Sequence, residues 1–450
     1  MGLQNEFYSD YLNRRMKIDL QTFRIENNSD PEVDLLHGYG YIEYGEEENF
    51  IFTLYVDKKY DHKFVINALD SLNPSDEDIQ IIGLDVTGRD WIIFPSSFSL
   101  QQTLTENSVS RLSGESKELH LSTSSHYTDK YYYIDITIDP IYRIPFNTSR
   151  SETTKSESNT IIAYKSLPLI EYESKSYAIS GLKNEASTTV SFRFKKMANN
   201  VEKRLLECLR YITGENIHFG IVEIHNKGVC EVRIYPQPRR PKANIRPPIR
   251  IEDYPHPSAN DSWRLFEAMF EFVKTEKSEQ FSYLGTHINA IIGAGPAYYE
   301  SQSLILSVHI EGMLLDFLEK YASISDSDKE EVKKFKALVK SVENRSNIKE
   351  RLISALGNME RAGARQILKS LMKRGVIDKD QRDSWIEIRN KYSHPKLTKR
   401  SSRSADDFIA YLKVLEMFYR ITFHIIRYNG LFNTYSKGER MQETVDFRNP

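Results

Sequence analysis

The residues with the clearest capacity for chemistry lie in one segment near the C-terminus, DSWIEIRNKYSHP, residues 383–395. Arg389 is followed by Asn390, and His394 stands directly before Pro395. Histidine titrates near neutral pH and can act as a general base or acid, whereas arginine presents a permanent planar cation that matches phosphate oxygens. Attack of an RNA 2′-hydroxyl on the adjacent phosphorus needs a base, an acid and a cation for the developing charge. These residue types therefore suit phosphodiester cleavage.

The helical periodicity of this segment predicts where its side chains point. One side of the helix is apolar and another is polar, with Trp385, Ile388 and Tyr392 on the first and Glu387, Asn390 and His394 on the second. Arg389 lies between them, so its stem can pack on the core while its guanidinium reaches the polar side. Because a residue before proline disfavours helical geometry, the helix should end near Ser393, which lets His394 turn toward Arg389. We expect Asn390 to hydrogen-bond the imidazole and fix its tautomer.

The run Arg389, Asn390, Lys391, Tyr392, Ser393, His394 resembles the R-N-x-x-x-H motif of the HEPN superfamily. A β-rich N-terminal part followed by a helical domain with this motif is similar to the ApeA-like anti-phage proteins of bacteria. The resemblance implies a homodimer or higher homo-oligomer, formed through the helical domain, in which two Arg/His motifs make one metal-independent, cofactor-free ribonuclease site. It also implies that the enzyme cleaves tRNA or other host or phage RNA in abortive infection. The N-terminal domain would sense the trigger, such as a phage product.

Three further residues are candidates for supporting this pair: Glu311, Glu387 and Tyr392. Glu311 stands at helical spacing within an otherwise apolar stripe of Leu304, Val308, Leu315 and Leu318. A carboxylate in such a stripe needs a partner, and Arg389 would be one. A partly exposed structural salt bridge is the alternative explanation for Glu311.

A basic face precedes the motif. Arg361, Arg365, Lys369 and Lys373 recur every four residues and would line one side of a helix. Such a face could contact RNA phosphates, although an ordinary solvated helix surface has the same pattern.

Structural roles could account for the motif as well. The histidine could stabilise a helix end, and the arginine could pair with a surface carboxylate. The helical domain could then be a catalytically inactive dimerisation or RNA-binding module of a regulatory protein. A toxin-like partner controlled by a separate nucleotidyltransferase is a further alternative.

The whole chain has the composition of a folded protein with two or three domains, since 450 residues exceed one ordinary core. Its 61 Lys+Arg and 63 Asp+Glu residues nearly balance. The two cysteines, Cys208 and Cys230, cannot form a disulfide framework, and no Cys/His spacing predicts a metal site. A cytoplasmic protein is expected, because neither a signal peptide nor a membrane-spanning stretch is evident.

The fold class predicted is α+β and multidomain. Residues 1–235 have short alternating strands and should form an antiparallel β-sandwich-like sensing or regulatory domain, interrupted by a helix at 199–212 and by polar loops at 96–117 and 147–159. Residues 236–261 should form a Pro-rich basic linker, 262–295 bridging helices, and 296–450 an all-α bundle, which the resemblance implies is a HEPN domain. Helical periodicity predicts the individual helices at 262–275, 279–292, 296–321, 328–342, 348–373, 379–393 and 405–428. The helix predicted at 405–428 is apolar on several sides, which indicates either self-association or deep burial within one chain.

Overall fold

The computed structural model describes residues 5–27, 36–46, 48–57, 79–101, 110–127, 129–155, 161–237, 244–321, 326–342, 347–359, 363–393, 405–438 and 441–447. The chain divides into two compact units. The first, here the β-rich unit, comprises Met1–Ala198, Ile217–Pro241 and Asp253–Pro257. The second, the helical unit, comprises Asn199–Asn216, Lys242–Glu252 and Ser258–Pro450.

The β-rich unit is a short helix, α1 (Asn5–Leu12), and one antiparallel sheet of 13 strands. In chain order the strands are β1 (Lys17–Asn27), β2 (Leu36–Tyr44), β3 (Phe50–Val56), β4 (Ile79–Asp85), β5 (Asp90–Gln101), β6 (Arg111–Ser124), β7 (Tyr132–Ile138), β8 (Thr148–Lys155), β9 (Ile161–Glu173), β10 (Tyr177–Lys183), β11 (Thr188–Phe194), β12 (Phe219–Asn226) and β13 (Val229–Ile234). Their order in the sheet is β3-β2-β1-β4-β5-β6-β13-β12-β7-β11-β10-β9-β8.

The predicted sandwich is wrong, because the first six strands close into a barrel. Strand β3 pairs with β2 on one side and with β6 on the other, and this second pairing closes the ring. Strand β6 is long enough to pair with two strands: residues 111–116 pair with β3, and residues 119–124 pair with β13. Alternating side chains such as Phe52 and Trp91 fill the barrel. Alternation predicts one buried face for each strand, but closure depends on partners far away in sequence.

The prediction of polar loops at 96–117 and 147–159 is wrong in part, and its residues 102–109 and 156–159 lie outside the described residues. Strand β5 continues to Gln101, β6 begins at Arg111, and β8 occupies Thr148–Lys155. Serine and threonine are compatible with strands that have a wet face, and threonine favours them. Strand β8 is at the edge of the sheet, where polar side chains oppose association with other chains.

The helical unit carries the predicted helices with changed boundaries. They are α2 (Val201–Thr213), α3 (Ala259–Val273), α4 (Tyr283–Gly293), α5 (Tyr299–Leu318) with a 3-10 turn (Glu319–Tyr321), α6 (Asp326–Ser341), α7 (Asn347–Met359), α8 (Ala364–Lys373), α9 (Lys379–Ser393) and α10 (Ala405–Ile426). Among the described helices, none is long and apolar enough to cross a lipid bilayer.

Two parts of the helical unit differ from the prediction. The unit is not all-α, because β14 (Asn429–Asn433) and β15 (Gln442–Asp446) pair as an antiparallel hairpin after the last helix. The single helix predicted over 348–373 is two helices, with Gly363 at the N-cap of α8. Glycine has the lowest helix propensity after proline, which favours a break at this point.

Helix α2 lies in the helical unit, although the chain enters it from the β-rich region. Its Arg204 and Glu207 are fully buried and form an ion pair at 2.9 Å. Glu207 accepts hydrogen bonds from the backbone N (3.0 Å) and the Oγ (2.9 Å) of Ser282, and Arg204 donates to the carbonyl of Ser278 (2.6 Å). Buried charges need such partners, and here they fix α2 to the segment leading into α4.

Part of the predicted linker is built into the core of the helical unit. Ile245, Ile249 and Ile251 are all buried, and the carbonyl of Pro248 accepts a hydrogen bond of 2.9 Å from the backbone of Asn433 in β14. Residues 244–258 of this segment form neither helix nor strand, as its prolines predict, whereas Ala259 to Asp261 already belong to α3. Residues 244–252 are therefore not a solvated connector.

Helix α10 is buried on several sides within its own unit, so its apolar surplus does not require self-association. His424 on this helix is 4% exposed, and neither ring nitrogen has a hydrogen-bond partner among the described residues. Burial, followed by the nearby charges of Arg374 and Lys320, lowers the pKa of His424 below its usual value of 6.5. The imidazole is therefore neutral in the folded protein near neutral pH.

We expect this burial to make the helical unit less stable in mild acid. As the pH falls below 6.5, His424 is protonated in the unfolded chain before it is protonated in the folded chain. The free energy of unfolding therefore decreases as the pH falls further. Urea unfolding at about pH 7.5 and about pH 5.5 measures the loss. His424→Phe should lose less stability between the two pH values than the wild type, and an equal loss in both proteins would contradict this explanation.

Candidate active site

Helix α9, which carries the candidate motif, packs against α5 and α10. Its bounds, Lys379–Ser393, agree with the prediction. Of the three residues predicted on the apolar side, Trp385 and Ile388 are 1% and 3% exposed, and Tyr392 is half-buried. The Trp385 indole Nε1 donates a hydrogen bond of 3.2 Å to the carbonyl of Ser307 in α5. This bond and the burial of the ring fix the rotation of α9 against α5.

Arg389 forms a two-pronged ion pair with Glu311 of α5. Its Nε donates to Oε2 and its Nη2 to Oε1, each at 2.9 Å. The guanidinium also lies 5.6 Å from the centre of the Trp385 ring. Arg389 and Glu311 remain 34% and 30% exposed, so solvent screens the pair and its contribution to stability is small. Its larger consequence is geometric, because a fork-to-carboxylate contact fixes the plane of the guanidinium.

This contact leaves one edge of the guanidinium available. Nη1 of Arg389 has no hydrogen-bond partner among the described residues, and the side chain is partly exposed. A fixed, partly exposed Nη1 edge can donate to an oxyanion such as a phosphate oxygen. Asn390 and Glu387 are both exposed on the surface of α9. The structure thus brings Glu311 to Arg389 and leaves Glu387 apart from that pair.

His394 and Pro395 lie outside the described residues. The predicted approach of His394 to Arg389, and the hydrogen bond predicted from Asn390 to its ring, therefore stay predictions. The last described residue before them, Ser393, is helical.

The last turn of α9 is attached to the first turn of α10. Lys391 donates hydrogen bonds of 2.6 and 2.8 Å to the two carboxylate oxygens of Asp407, and this contact raises the pKa of Lys391 above its usual value. The Tyr392 ring packs edge-on against Tyr299 of α5, whose hydroxyl donates to the carbonyl of Asp407. Tyr392, a candidate supporting residue, thus has a packing role. The sequence did not predict the ion pair between Lys391 and Asp407. The two residues belong to different helices, and the residue pattern does not predict the path of the segment that separates them.

The apolar stripe of α5 faces outward around Glu311. Val308 and Leu315 lie one turn before and one turn after Glu311, and they are 49% and 41% exposed. The periodicity predicted an apolar stripe here but could not tell whether the same chain covers it. Leu318, at the end of the same stripe, is buried, so the exposed part consists of the residues on either side of Glu311.

The basic face predicted before the motif lies on α8. Arg365, Lys369 and Lys373 are exposed, while Ile367, Leu368 and Leu371 on the opposite side are buried. Arg361 lies outside the described residues. Among the described residues, no hydrogen bond or ion pair joins these three basic side chains to Arg389 or Glu311. The face is therefore a surface feature separate from the Arg389 contact.

Comparisons of the chain with protein-family models, with curated protein sequences and with solved structures found no match. The interpretation of the site consequently depends on its residues and their geometry.

Proposed function

We propose that this protein is a metal-independent endoribonuclease of the HEPN class, in which Arg389 and His394 are the catalytic residues. The observation that carries the proposal is the orientation of Arg389. Its guanidinium is held by Glu311 with one donor edge available, on a helix whose next residues complete the R-N-x-x-x-H motif.

The chemistry follows from the charges of these groups. The Arg389 guanidinium would donate to the non-bridging phosphate oxygens and stabilise the charge that develops on them as the 2′-oxygen attacks. One imidazole would remove the proton of the 2′-hydroxyl, and a second imidazole would protonate the departing 5′-oxygen. Two imidazoles are available when two copies of the motif face each other. Asn390 would orient the ring of His394.

The dimer that this mechanism needs has a candidate contact surface. Val308 and Leu315 flank Glu311 on the exposed side of α5. Burying this stripe against the same stripe of a second copy would place the two Arg389 side chains close to the two-fold axis. An apolar contact of this kind is what drives most subunit association.

The biological role proposed is defence against phage by abortive infection, with host or phage RNA, tRNA in particular, as substrate. The β-rich unit would sense a trigger and control the nuclease. A cytoplasmic location is part of the proposal and agrees with two cysteines, Cys208 and Cys230, that are free and buried.

Incubation of the purified chain with tRNA in the presence of EDTA tests the proposal directly. Cleavage that continues without metal, and products with 2′,3′-cyclic phosphate ends, would be expected for attack by the 2′-hydroxyl. Sequencing of RNA ends after expression in cells would report the target. Intact RNA in both experiments would contradict the nuclease proposal.

The basic face of α8 is proposed to bind the RNA backbone. Reversing the three exposed charges (Arg365→Glu, Lys369→Glu, Lys373→Glu) should weaken RNA binding and reduce the slope of log affinity against log salt by about 2, because each lost contact with single-stranded RNA removes about 0.7. Filter binding across a salt series gives the slope. The matched control reverses three exposed lysines on α6, Lys333, Lys334 and Lys340. Equal effects of the two triple variants would mean that α8 has no special role.

A second candidate function is an inactive RNA-binding and dimerisation module. The Arg389–Glu311 ion pair favours it, since a carboxylate already neutralises much of the guanidinium charge. This alternative predicts RNA binding without cleavage, together with binding that is unaffected by His394→Ala.

A further inference from the structure

Three potential metal ligands converge in the β-rich unit: His126 and Asp135, which are nine residues apart, and His225, which is distant in sequence. Asp135 is on β7 and His225 on the neighbouring strand β12, where the register places His225 opposite Tyr133 and Glu223 opposite Asp135. Asp135 and His225 are therefore diagonal neighbours on one face of the sheet. His126 lies just after the end of β6 and reaches the same point.

The distances are short. One ligand atom from each of His126, Asp135 and His225 lies within 4.8 Å of the other two. The His225 Nε2 is 3.4 Å from the Asp135 Oδ2. His225 and Asp135 are 2% and 9% exposed, whereas His126 is on the surface. The Oδ1 of Asp135 is buried and has no hydrogen-bond partner among the described residues.

These contacts fit a metal ion better than they fit a direct hydrogen bond. A separation of 3.4 Å is long for an N–H donor and a carboxylate oxygen, which prefer about 2.7–2.9 Å. It is close to the edge of a tetrahedron around zinc, where bonds of about 2.0–2.1 Å place neighbouring ligands about 3.3 Å apart. The buried Oδ1 of Asp135, whose cross-strand neighbour on β11 is Ser191, would also be stabilised by a cation.

The surrounding side chains act as the outer contacts of such a site. The Oγ of Ser125 lies 3.0 Å from the Nδ1 of His225, and the Tyr127 hydroxyl donates to the Oδ2 of Asp135 at 3.2 Å. When the Nδ1 of His225 donates to Ser125, its Nε2 carries the lone pair, 3.4 Å from the Asp135 Oδ2 and 3.8 Å from the Sγ of Cys230. Metal-binding histidines and carboxylates are oriented by hydrogen bonds of this kind.

We propose that His126, Asp135 and His225 bind one zinc ion. Two imidazole nitrogens and one carboxylate oxygen suit a first-row divalent transition metal rather than magnesium or calcium, which prefer oxygen. His126 would close the site by a small rotation, which its exposure permits. The ion would fix the connection after β6 to strands β7 and β12, and one coordination position would be left for water. This site is separate from the Arg389 site and does not depend on the proposed nuclease activity.

Zinc binding to the full, untagged chain tests the proposal. The protein is stripped with a chelator, titrated with Zn²⁺ in competition with a chromophoric chelator, and followed in parallel by thermal unfolding. We expect one zinc ion per wild-type chain and an increase of roughly 5 °C in the unfolding midpoint when zinc is in large excess over Kd. His126→Gln, which alters an exposed residue and should fold, is expected to bind zinc at least tenfold more weakly and to lose this increase.

His120→Gln is the matched control. His120 is on β6, six residues before His126, and contacts Glu118 instead of the cluster. It should bind zinc as the wild type does. The proposal is overturned if the stripped wild type takes up no zinc, or if His126→Gln and wild type bind it equally tightly.

Discussion

Alanine at either Arg389 or His394 is expected to lower the rate of RNA cleavage by about 10² to 10⁴, the usual cost of losing an acid/base group or an oxyanion contact. His394→Ala removes the proton carrier, and Arg389→Ala removes the guanidinium that Glu311 holds at 2.9 Å. The measurement is single-turnover cleavage of an end-labelled RNA in EDTA. Circular dichroism should show that both variants remain folded, because Arg389 is at the surface of its unit.

Arg382→Ala is the matched control for this experiment. Arg382 is on the same helix, nearly two turns before Arg389, and its ion pair with Asp383 (2.7 Å) is at the surface. Its removal should leave the cleavage rate unchanged. Arg389→Lys is informative as well, since lysine keeps the charge but cannot present a fork to both Glu311 and a phosphate. If folded Arg389→Ala and His394→Ala proteins cut RNA at the wild-type rate, the assignment of the catalytic pair is wrong.

The second large effect concerns the exposed stripe of α5. Val308→Asp together with Leu315→Asp is expected to convert the dimer to a monomer and to reduce cleavage at least a hundredfold. In a symmetric contact each new charge is introduced twice, and like charges facing each other across an interface cost several kcal/mol. Both positions are exposed within the chain, so the fold should be retained. Sedimentation velocity and the RNA cleavage assay, performed on the same samples, check both parts of this expectation.

A control variant exists on another helix of the same unit. Phe335 and Leu338 on α6 are 53% and 63% exposed, and replacing both by aspartate makes the same change in charge and removes at least as much exposed apolar surface. That variant should remain dimeric and active. A wild-type protein that is monomeric yet cuts RNA would rule out a site shared by two copies. If the double variant of α5 stays dimeric, the dimer interface does not include Val308 and Leu315.

Local periodicity predicted the elements that carry the candidate site. The bounds of α9 and the burial of Trp385 and Ile388 followed from apolar spacing in one short segment, and so did the position of Arg389 between two sides of the helix. Strands such as β3 and β11 could be predicted in the same way, because alternation depends only on neighbouring residues.

Features that depend on distant partners could not be predicted. The β3–β6 pairing that makes a barrel instead of a sandwich depends on register between separate strands. The same limit applies to α2, whose buried Arg204 and Glu207 find their partners near Ser282. Only three-dimensional packing places His126, Asp135 and His225 in one cluster, since their sequence spacing has no metal-binding pattern.

The sequence by itself determined most of the helices and strands and the residue types that suit RNA cleavage, because these depend on local spacing and on side-chain chemistry. The tertiary structure decided that Glu311 holds Arg389 and that the flanking stripe of α5 is exposed. Both outcomes require knowing which face of α5 meets α9, and that depends on packing of buried side chains from separate segments, such as Trp385 against Ser307.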